Sequence, residues 1–460
     1  MKKIIKSEIL LSEMIAIADD KGNKITYREL AGRAEALGRC PEAGSLVFCL
    51  CDRQRETVEF LYELLYAGGI PLLLEADING EFLERLIRDY RPRYIYCGKS
   101  HEMGRRYPHE AEWENHALLK TGMERYPIHP DVALLLSTSG TTGSGKLVKI
   151  SHENMADNAA CGCARFGMHS GQKGLSPLPV NYAYGISFCF WHWYCGATWL
   201  VTELPVLGRD FREFYTRERV NNFAATPFTY QALQRVGFWD AERVESLNYA
   251  ISAGAQLPEQ TQIYLVGALK EKFWNGYGQT ECFGVLTAMN FQDKKMKFGS
   301  VGRPFPNAEV TADRDTGEML IRSRSVCMGY AGDREQLAEG DVNRGLLHTG
   351  DVIEIDGEGC IFLRGRLKRY VKILGKRVSL DDLANYLGDQ YPDTEFACTG
   401  TDENIVIFHT GKGQEAEREI PALLDRRMKI PSRFVSCHYL ERIPRNDSGK
   451  IAYGCLQRSR

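Results

Sequence analysis

Short apolar runs alternate with amphipathic stretches through the first part of the chain. Leu46–Cys51, Ile70–Leu74 and Tyr94–Cys97 read as buried strands, and Arg55–Ala67 and Gly80–Tyr90, with apolar positions at helical spacing, read as the helices between them. Strands separated by helices of that length imply right-handed crossovers and a mostly parallel sheet. Ahead of them, Ile5, Ile9, Leu10 and Met14 fall at helical spacing within residues 4–17, which predicts a helix, and Ile25–Leu30 follows a Gly-Asn turn into another. The alternation resumes over residues 153–275 as a second α/β unit. From 299 to 363 the texture changes to short β runs with glycine turns, a small antiparallel β-barrel or sheet, and residues 379–460 alternate helix and strand as a small α+β lid.

Between the two α/β units, Val132–Leu136 reads as a buried strand that opens into Ser137-Thr138-Ser139-Gly140-Thr141-Thr142-Gly143-Ser144-Gly145-Lys146. Six hydroxyls, three glycines and one ammonium make an oxyanion cradle, because glycine lets backbone N–H groups turn toward a ligand and the side chains add donors. Phosphate is the natural guest. Gly140 to Lys146 also fits G-x-x-x-x-G-K, but a nucleotide-hydrolysing P-loop protein needs Ser or Thr next to bind Mg²⁺, and Leu147 follows here. Leu147–Ser151 alternates like a strand, with the next helix near His152, whereas the P-loop lysine opens a helix.

Composition narrows the classes of function. A chain of 460 residues that is 43% hydrophobic can fill more than one core. Its net charge of −2 gives no electrostatic case for nucleic acid or an anionic membrane surface. No apolar run approaches a membrane span. Fourteen cysteines lack any C-x-x-C pair; Cys49/Cys51 and Cys161/Cys163 are C-x-C, and buried free thiols of a reducing compartment are expected rather than a zinc site. Lys2 and Lys3 open the chain, but Lys6 and Glu8 interrupt any signal-peptide core, so a soluble cytoplasmic protein is expected. His101, His109, His116 and His129 match no ligand spacing and read as solvated loop histidines. Phe190, Trp191 and Trp193 read as core packing.

The 137–146 segment resembles the phosphate loop S-G-T-T-G-x-P-K-G of the adenylate-forming (AMP-binding) enzymes: acyl- and aryl-CoA ligases, luciferases and peptide-synthetase adenylation domains. Gly145 and Leu147 depart from it at Pro and Gly. Further resemblances follow in family order. Ile25–Leu30 is similar to the opening T-Y-x-E-L. Tyr184-Gly185 matches H-x-Y-G beside the carboxylate substrate, with Tyr182 where many members have His, and 222–230 is similar to the turn beside the acyl pocket, where Phe228 falls. Ser252-Ala253-Gly254-Ala255 ends a strand in small residues that let a flat ligand lie on the backbone, adenine being the candidate. Asn275-Gly276-Tyr277-Gly278-Gln279-Thr280-Glu281 resembles N-x-Y-G-x-T-E, His348–Asp351 resembles Y-R-T-G-D, and Gly365–Val378 matches the hinge and hairpin, with Leu374 where many members carry Arg. Pro444–Ile451 is close to P-R-x-x-S-G-K-[IV], so that the resemblance runs from about Ile25 to about Leu456.

The resemblance implies an α/β fold: a large N-terminal domain over 1–367, with two α/β units and a small β-barrel, then a small mobile α+β domain over 368–460 that hinges at Lys368. It implies an ATP-dependent ligase that joins a small-molecule carboxylic acid to AMP with release of pyrophosphate and passes the acyl group to coenzyme A or to the phosphopantetheine of an acyl carrier protein. Thr138, Ser139, Gly140, Thr141, Thr142, Gly143 and Lys146 would restrain the β- and γ-phosphates. Gly254, Ala255, Gly276, Tyr277 and Gly278 would border the nucleotide; Tyr184, Gly185, Phe228 and Ala253 would border the acid. Thr280 would donate to the α-phosphate, Glu281 would hold Mg²⁺, Asp351 would accept both ribose hydroxyls, Arg366 would reach ribose or phosphate oxygens, and Lys450 would bridge carboxylate and α-phosphate. Members that activate α-amino acids place an aspartate where this chain has Ala183, and an unpaired buried ammonium is costly. A substrate without an α-amino group is therefore expected, the alternative being an amino-acid-activating carrier-protein ligase.

Overall fold

The computed structural model describes the chain except residues 3, 37–40, 138–145, 292–296, 375, 403, 412–413, 446–450 and 459–460, and except the side chains of 368, 370, 372, 376, 377, 414–416, 457 and 458. Among the described residues two packed units are distinguished. The first takes most of the chain up to Glu309 together with Ile321–Leu347; the second takes Val310–Leu320 and His348–Arg460.

Parallel pairing organises the first unit. Leu46–Cys51 lies between Ile70–Glu75 and Tyr94–Gly98, parallel to both, and Val132–Ser137 runs parallel to Ile70–Glu75. All six residues of Leu46–Cys51 are buried, as a strand covered on both faces requires. Helices Arg55–Ala67 and Gly80–Tyr90 make the crossovers with the bounds the periodicity predicts, and Asn79 caps the second by accepting from the N–H of Phe82. Antiparallel strands Leu147–Ser151 and then Tyr330–Ala331 extend this sheet on one side; His116–Lys120 and His109–Glu112 extend it on the other. Ser151 caps the helix His152–Phe166 through a reciprocal pair of bonds with Asn154.

A second sheet in the same unit runs Ser300–Pro304, Gly284–Asn290, Phe273–Gln279, Tyr249–Ser252, Asn222–Ala225, Lys173–Leu175, Thr198–Val201, Ile15–Asp19, Lys24–Thr26. Its middle is parallel, from Phe273–Gln279 to Ile15–Asp19. A helix over residues 4–17 is not what forms. The helix is confined to Ser7–Leu10, and Ile15–Asp19 is a strand parallel to Thr198–Val201. The continuous run Ile15-Ala16-Ile17-Ala18 suits a strand buried on both faces, and pairing with Trp199 and Leu200 outweighs the helical spacing of Ile5, Ile9 and Met14.

In the second unit, Asp351–Ile355 and Ile361–Arg366 pair antiparallel. The hairpin Tyr370–Ile373/Lys376–Ser379 precedes a three-stranded sheet of Phe396–Thr401, Asn404–His409 and Val435–Tyr439. Leu383 and Leu387 of helix Leu380–Gln390 pack with Ile405, Ile407, Ile420 and Leu424 in its core.

No disulfide joins the described cysteines, and Cys49 and Cys51 are buried; Cys161 and Cys163 lie on the helix His152–Phe166. His109 opens an exposed strand rather than lying in a loop, and His116 departs further from its expected place. His116 opens a strand and is fully buried, with Nδ1 at 2.9 Å from Glu56 Oε2 and Nε2 at 2.8 Å from Asp52 Oδ2. Its ring stacks on Tyr96, and Thr57 donates to the other Asp52 oxygen at 2.6 Å. Burial opposes the charged ring, but the bonds that the ring donates to Asp52 and Glu56 outweigh it and hold His116 above the ordinary histidine range. Burial likewise opposes ionised Asp52, and the bonds from His116 and Thr57 outweigh it and hold the carboxyl low.

Because its folded value is raised, His116 stabilises fully below its unfolded value and loses that contribution as pH rises through the folded one. His116→Ala, which leaves two carboxylates facing a void, should cost about 3 kcal/mol at neutral pH in urea unfolding. The gap between the wild type and His116→Gln should be wider near pH 6 than near pH 9. A gap independent of pH would show that the ring is not an imidazolium in the fold.

Candidate active site

Three adjacent parallel strands, Asn222–Ala225, Tyr249–Ser252 and Phe273–Gln279, bring their carboxyl ends to one edge of the sheet. In register Ala225 faces Ser252 and Ser252 faces Asn275, so the third strand runs on by Gly276–Gln279 past its neighbours. The residues that follow are Thr226-Pro227-Phe228, Ala253-Gly254-Ala255 and Thr280-Glu281. The crevice outside such strand ends is where open α/β sheets take ligands.

Helix Ala183–Cys195 packs against this edge. The Tyr184 hydroxyl donates to Ile251 O at 2.9 Å, and burial pushes its pKa far up, so it stays a neutral donor. Gly185 lies so near the preceding turn that a Cβ would fall 2.3 Å from Pro179 O. Gly254 has φ +91, and a Cβ there would meet the Tyr182 hydroxyl at 2.8 Å. A bare backbone is thus required between Tyr182 and the strand end. Further along the helix, Phe190, Trp191 and Trp193 are fully buried, as expected of core residues. His192 is fully buried as well; its Nδ1 donates to Phe188 O at 2.8 Å, while Nε2 accepts from Asn222 Nδ2 at 3.1 Å. Burial lowers its pKa to about 4, so the ring is neutral and holds the helix to the strand beside the site.

The Thr280-Glu281 turn is fixed from several sides. Phe273–Gln279 pairs antiparallel with Gly284–Asn290, and a Cβ on Gly278 would fall 1.8 Å from Gly284 O. Between the strands, Thr280–Cys282 forms one 3₁₀ turn, followed by Phe283 at φ 52. The Gln279 N–H donates to Cys282 Sγ at 3.3 Å, and Gln279 Nε2 donates to the Tyr277 hydroxyl at 2.8 Å. Glu281 is anchored at both ends. Its carbonyl accepts from the Cys327 N–H at 2.7 Å, and its Oε1 accepts from the Tyr330 hydroxyl at 2.7 Å.

Of the residues singled out from the sequence, Tyr184, Gly185, Ala253, Gly254, Gly276, Tyr277, Gly278, Thr280 and Glu281 belong to this edge and the hairpin that continues it. Ala255 is exposed, and Phe228, in the first turn of helix Pro227–Arg235, is 52% exposed. Lys146 is exposed immediately before the strand Leu147–Ser151. Thr138, Ser139, Gly140, Thr141, Thr142, Gly143 and Lys450 lie outside the described residues, as does the side chain of Lys368. In the second unit Asp351 and Arg366 are cross-strand partners: Arg366 Nε donates to Asp351 Oδ1 at 2.8 Å, with the aspartate buried and the arginine side chain largely exposed. Tyr330 and His192 were not singled out for a role at the site; neither lies in a motif that marks one.

Among the described residues no group of three or more His, Cys, Asp or Glu could hold a metal ion. A lone carboxylate such as Glu281 does fit Mg²⁺ that arrives on nucleotide phosphates, because that ion keeps few protein ligands. No described helix is long and apolar enough to cross a membrane.

The chain belongs to the AMP-binding enzyme family, whose model matches residues 11–331. It is 27% identical over 343 residues to 4-coumarate–CoA ligase-like 2 of Arabidopsis thaliana, a match covering 70% of this chain and 60% of that protein, under two thirds of its length. It is 23% identical to 2-succinylbenzoate–CoA ligase of Oceanobacillus iheyensis, covering 95% of this chain and 94% of that protein. In fold it is similar to ATP-bound MatB of Rhodopseudomonas palustris, with a TM-score of 0.81, 19% identity, and 100% of this chain and 99% of that one covered.

Gly278→Ala should force the two strands apart at Gly284 and destabilise the first unit by about 3 kcal/mol in chemical unfolding. A loss below about 1 kcal/mol would mean that the strand contact relaxes freely, against the packing density of protein interiors.

Proposed function

We propose that this chain is an AMP-forming acid–thiol ligase: a carboxylate attacks the α-phosphate of ATP, pyrophosphate leaves, and the acyl-adenylate is transferred to a thiol. The observation that carries the reading is the placement of Thr280 and Glu281 at the end of the extended strand, beside Ala253 and Gly254, in a member of the AMP-binding enzyme family. Both relatives named above are CoA ligases, which supports coenzyme A as acceptor; a carrier-protein phosphopantetheine presents the same thiol.

Each group has a task set by its chemistry. The hydroxyls and glycines of Thr138–Gly143, with Lys146, restrain the β- and γ-phosphates. Thr280 donates to the α-phosphate. Glu281, with the phosphates, would hold Mg²⁺, which would offset phosphate charge. Gly254, Ala255, Gly276, Tyr277 and Gly278 form the nucleotide's wall, with Asp351 accepting from the ribose hydroxyls and Arg366 reaching ribose or phosphate oxygens. Two anions must meet in the first step, and Lys450, with its ammonium on both the carboxylate and the α-phosphate, lowers the cost of that encounter as charge builds. For the thiol to enter, this lysine must leave, and rotation of a C-terminal domain over 368–460 about Lys368 would achieve it.

The acid lies against Tyr184, Gly185, Phe228 and Ala253. Ala183 opens the helix and is buried, so this position offers an incoming ammonium no counter-charge. The substrate class is therefore an acid without an α-amino group.

Lys450→Ala should lower acid-dependent ATP–pyrophosphate exchange by roughly 10²–10³-fold while leaving thiolysis of supplied acyl-adenylate intact. Lys368→Pro should do the reverse. Loss of both half-reactions in either variant, or of neither, would overturn the division of labour. Formation of ADP without any acid would overturn the ligase reading itself. Exchange across a panel of acids, with coenzyme A and a carrier protein then offered separately, identifies the acid and the acceptor.

A further inference from the structure

Tyr330 stands outside every motif used so far, yet its hydroxyl is the group that touches the Glu281 carboxylate, at 2.7 Å. It is not a core residue: the side chain is 44% exposed on the short strand Tyr330–Ala331. That strand pairs antiparallel with Leu147–Ser151, Tyr330 opposite Val148. The residues just before it are stitched to both neighbours. Cys327 N–H donates to Glu281 O at 2.7 Å, Met328 N–H donates to Lys149 O at 2.9 Å, and Gly329 O accepts from the Lys149 N–H at 3.0 Å. Residues 327–331 thus bridge the Glu281 turn and the strand that leaves the 138–146 segment.

We propose that Tyr330 is the positioning residue for Glu281, holding one carboxylate oxygen by hydrogen bond so that the other is presented to the divalent cation carried by the nucleotide. This rests on the reading of Glu281 as the cation ligand. A monodentate carboxylate can swing about its own side-chain bonds, and a single anchored oxygen removes that freedom before the ligand arrives. A phenol suits the task because it donates without carrying a positive charge that would compete with the cation. Since Tyr330 pairs with Val148, the same contact ties Glu281 to the strand Leu147–Ser151.

The test reads cation binding rather than turnover. Mn²⁺ binding to the whole protein is followed by electron paramagnetic resonance with a non-hydrolysable ATP analogue present, for the wild type, Tyr330→Phe, Glu281→Gln and the double variant. Tyr330→Phe should weaken Mn²⁺ about 10-fold, the size typical of a lost outer-shell bond, with analogue affinity in EDTA and melting temperature unchanged. It should have no further effect in the Glu281→Gln background. Unaltered Mn²⁺ binding in Tyr330→Phe, or tighter binding, alongside a weakened Glu281→Gln overturns the role of Tyr330 and leaves the ligand assignment standing. Unaltered binding in Glu281→Gln overturns both. If Tyr330→Phe weakens binding equally in the two backgrounds, the tyrosine acts on the fold and not through the carboxylate, which also overturns the proposal.

Discussion

The close approach of two backbones at Gly278 and Gly284 is the constraint on which the rest of the site depends. With a Cβ excluded at 1.8 Å, the strand Phe273–Gln279 can run past its parallel neighbours and turn within Thr280–Cys282 without losing its antiparallel partner. Thr280 and Glu281 reach the carboxyl edge of the sheet because of that turn. The hydrogen bonds made by Gln279 and Cys327 then fix the backbone of the turn, and that of Tyr330 fixes the Glu281 carboxylate. Carboxylate placement in this chain is a property of strand packing first and of side-chain chemistry second.

Two buried histidines tie elements together elsewhere in the first unit. His192 joins the helix Ala183–Cys195 to Asn222 as a neutral ring, and His116 joins Asp52 and Glu56 with its pKa held above the ordinary value. The two histidines are equally hidden and differ in their partners: a carbonyl and an amide in one case, two carboxylates in the other. Burial alone drives a histidine toward neutrality, and only paired negative charge reverses it.

The alternation of strands and helices was legible because period-2 and period-3.6 patterns hold wherever one face or both faces are covered; Arg55–Ala67 and Gly80–Tyr90 have the bounds the pattern predicts. Residues 4–17 were misread because spacing cannot tell a helix face from a short buried strand preceded by apolar residues, and the partner, Thr198–Val201, lies far along the chain. His116 was misread for a related reason: the residues before it are polar, and its carboxylate partners are 60 and 64 positions away. Glu56, Glu59 and Glu63 of one helix are all buried, although glutamates at such spacing ordinarily mark a solvent face. The candidate site was legible where it is contiguous, as in Asn275–Glu281. The contact of Tyr330 with Glu281 spans 49 residues and leaves no local trace, and Asp351 and Arg366 were named singly although they form a pair.

The glycine-bearing hairpin also limits how this scaffold can diverge. Gly276 would press a side chain on Thr287 O and Val285, Gly278 on Gly284 O, and Gly284 on the Ser187 hydroxyl. At Gly276 and Gly278 a larger residue is closed off by carbonyl oxygens of the partner strand, and at Gly284 by Ser187 and a φ of +105. The helix Ala183–Cys195 beside the strand ends carries side chains instead, Ala183 and Tyr184 in its first turn. On the proposed reading, new acid preferences would arise by drift along one turn and a half of that helix, while the sheet beneath keeps its bare floor through every change of diet.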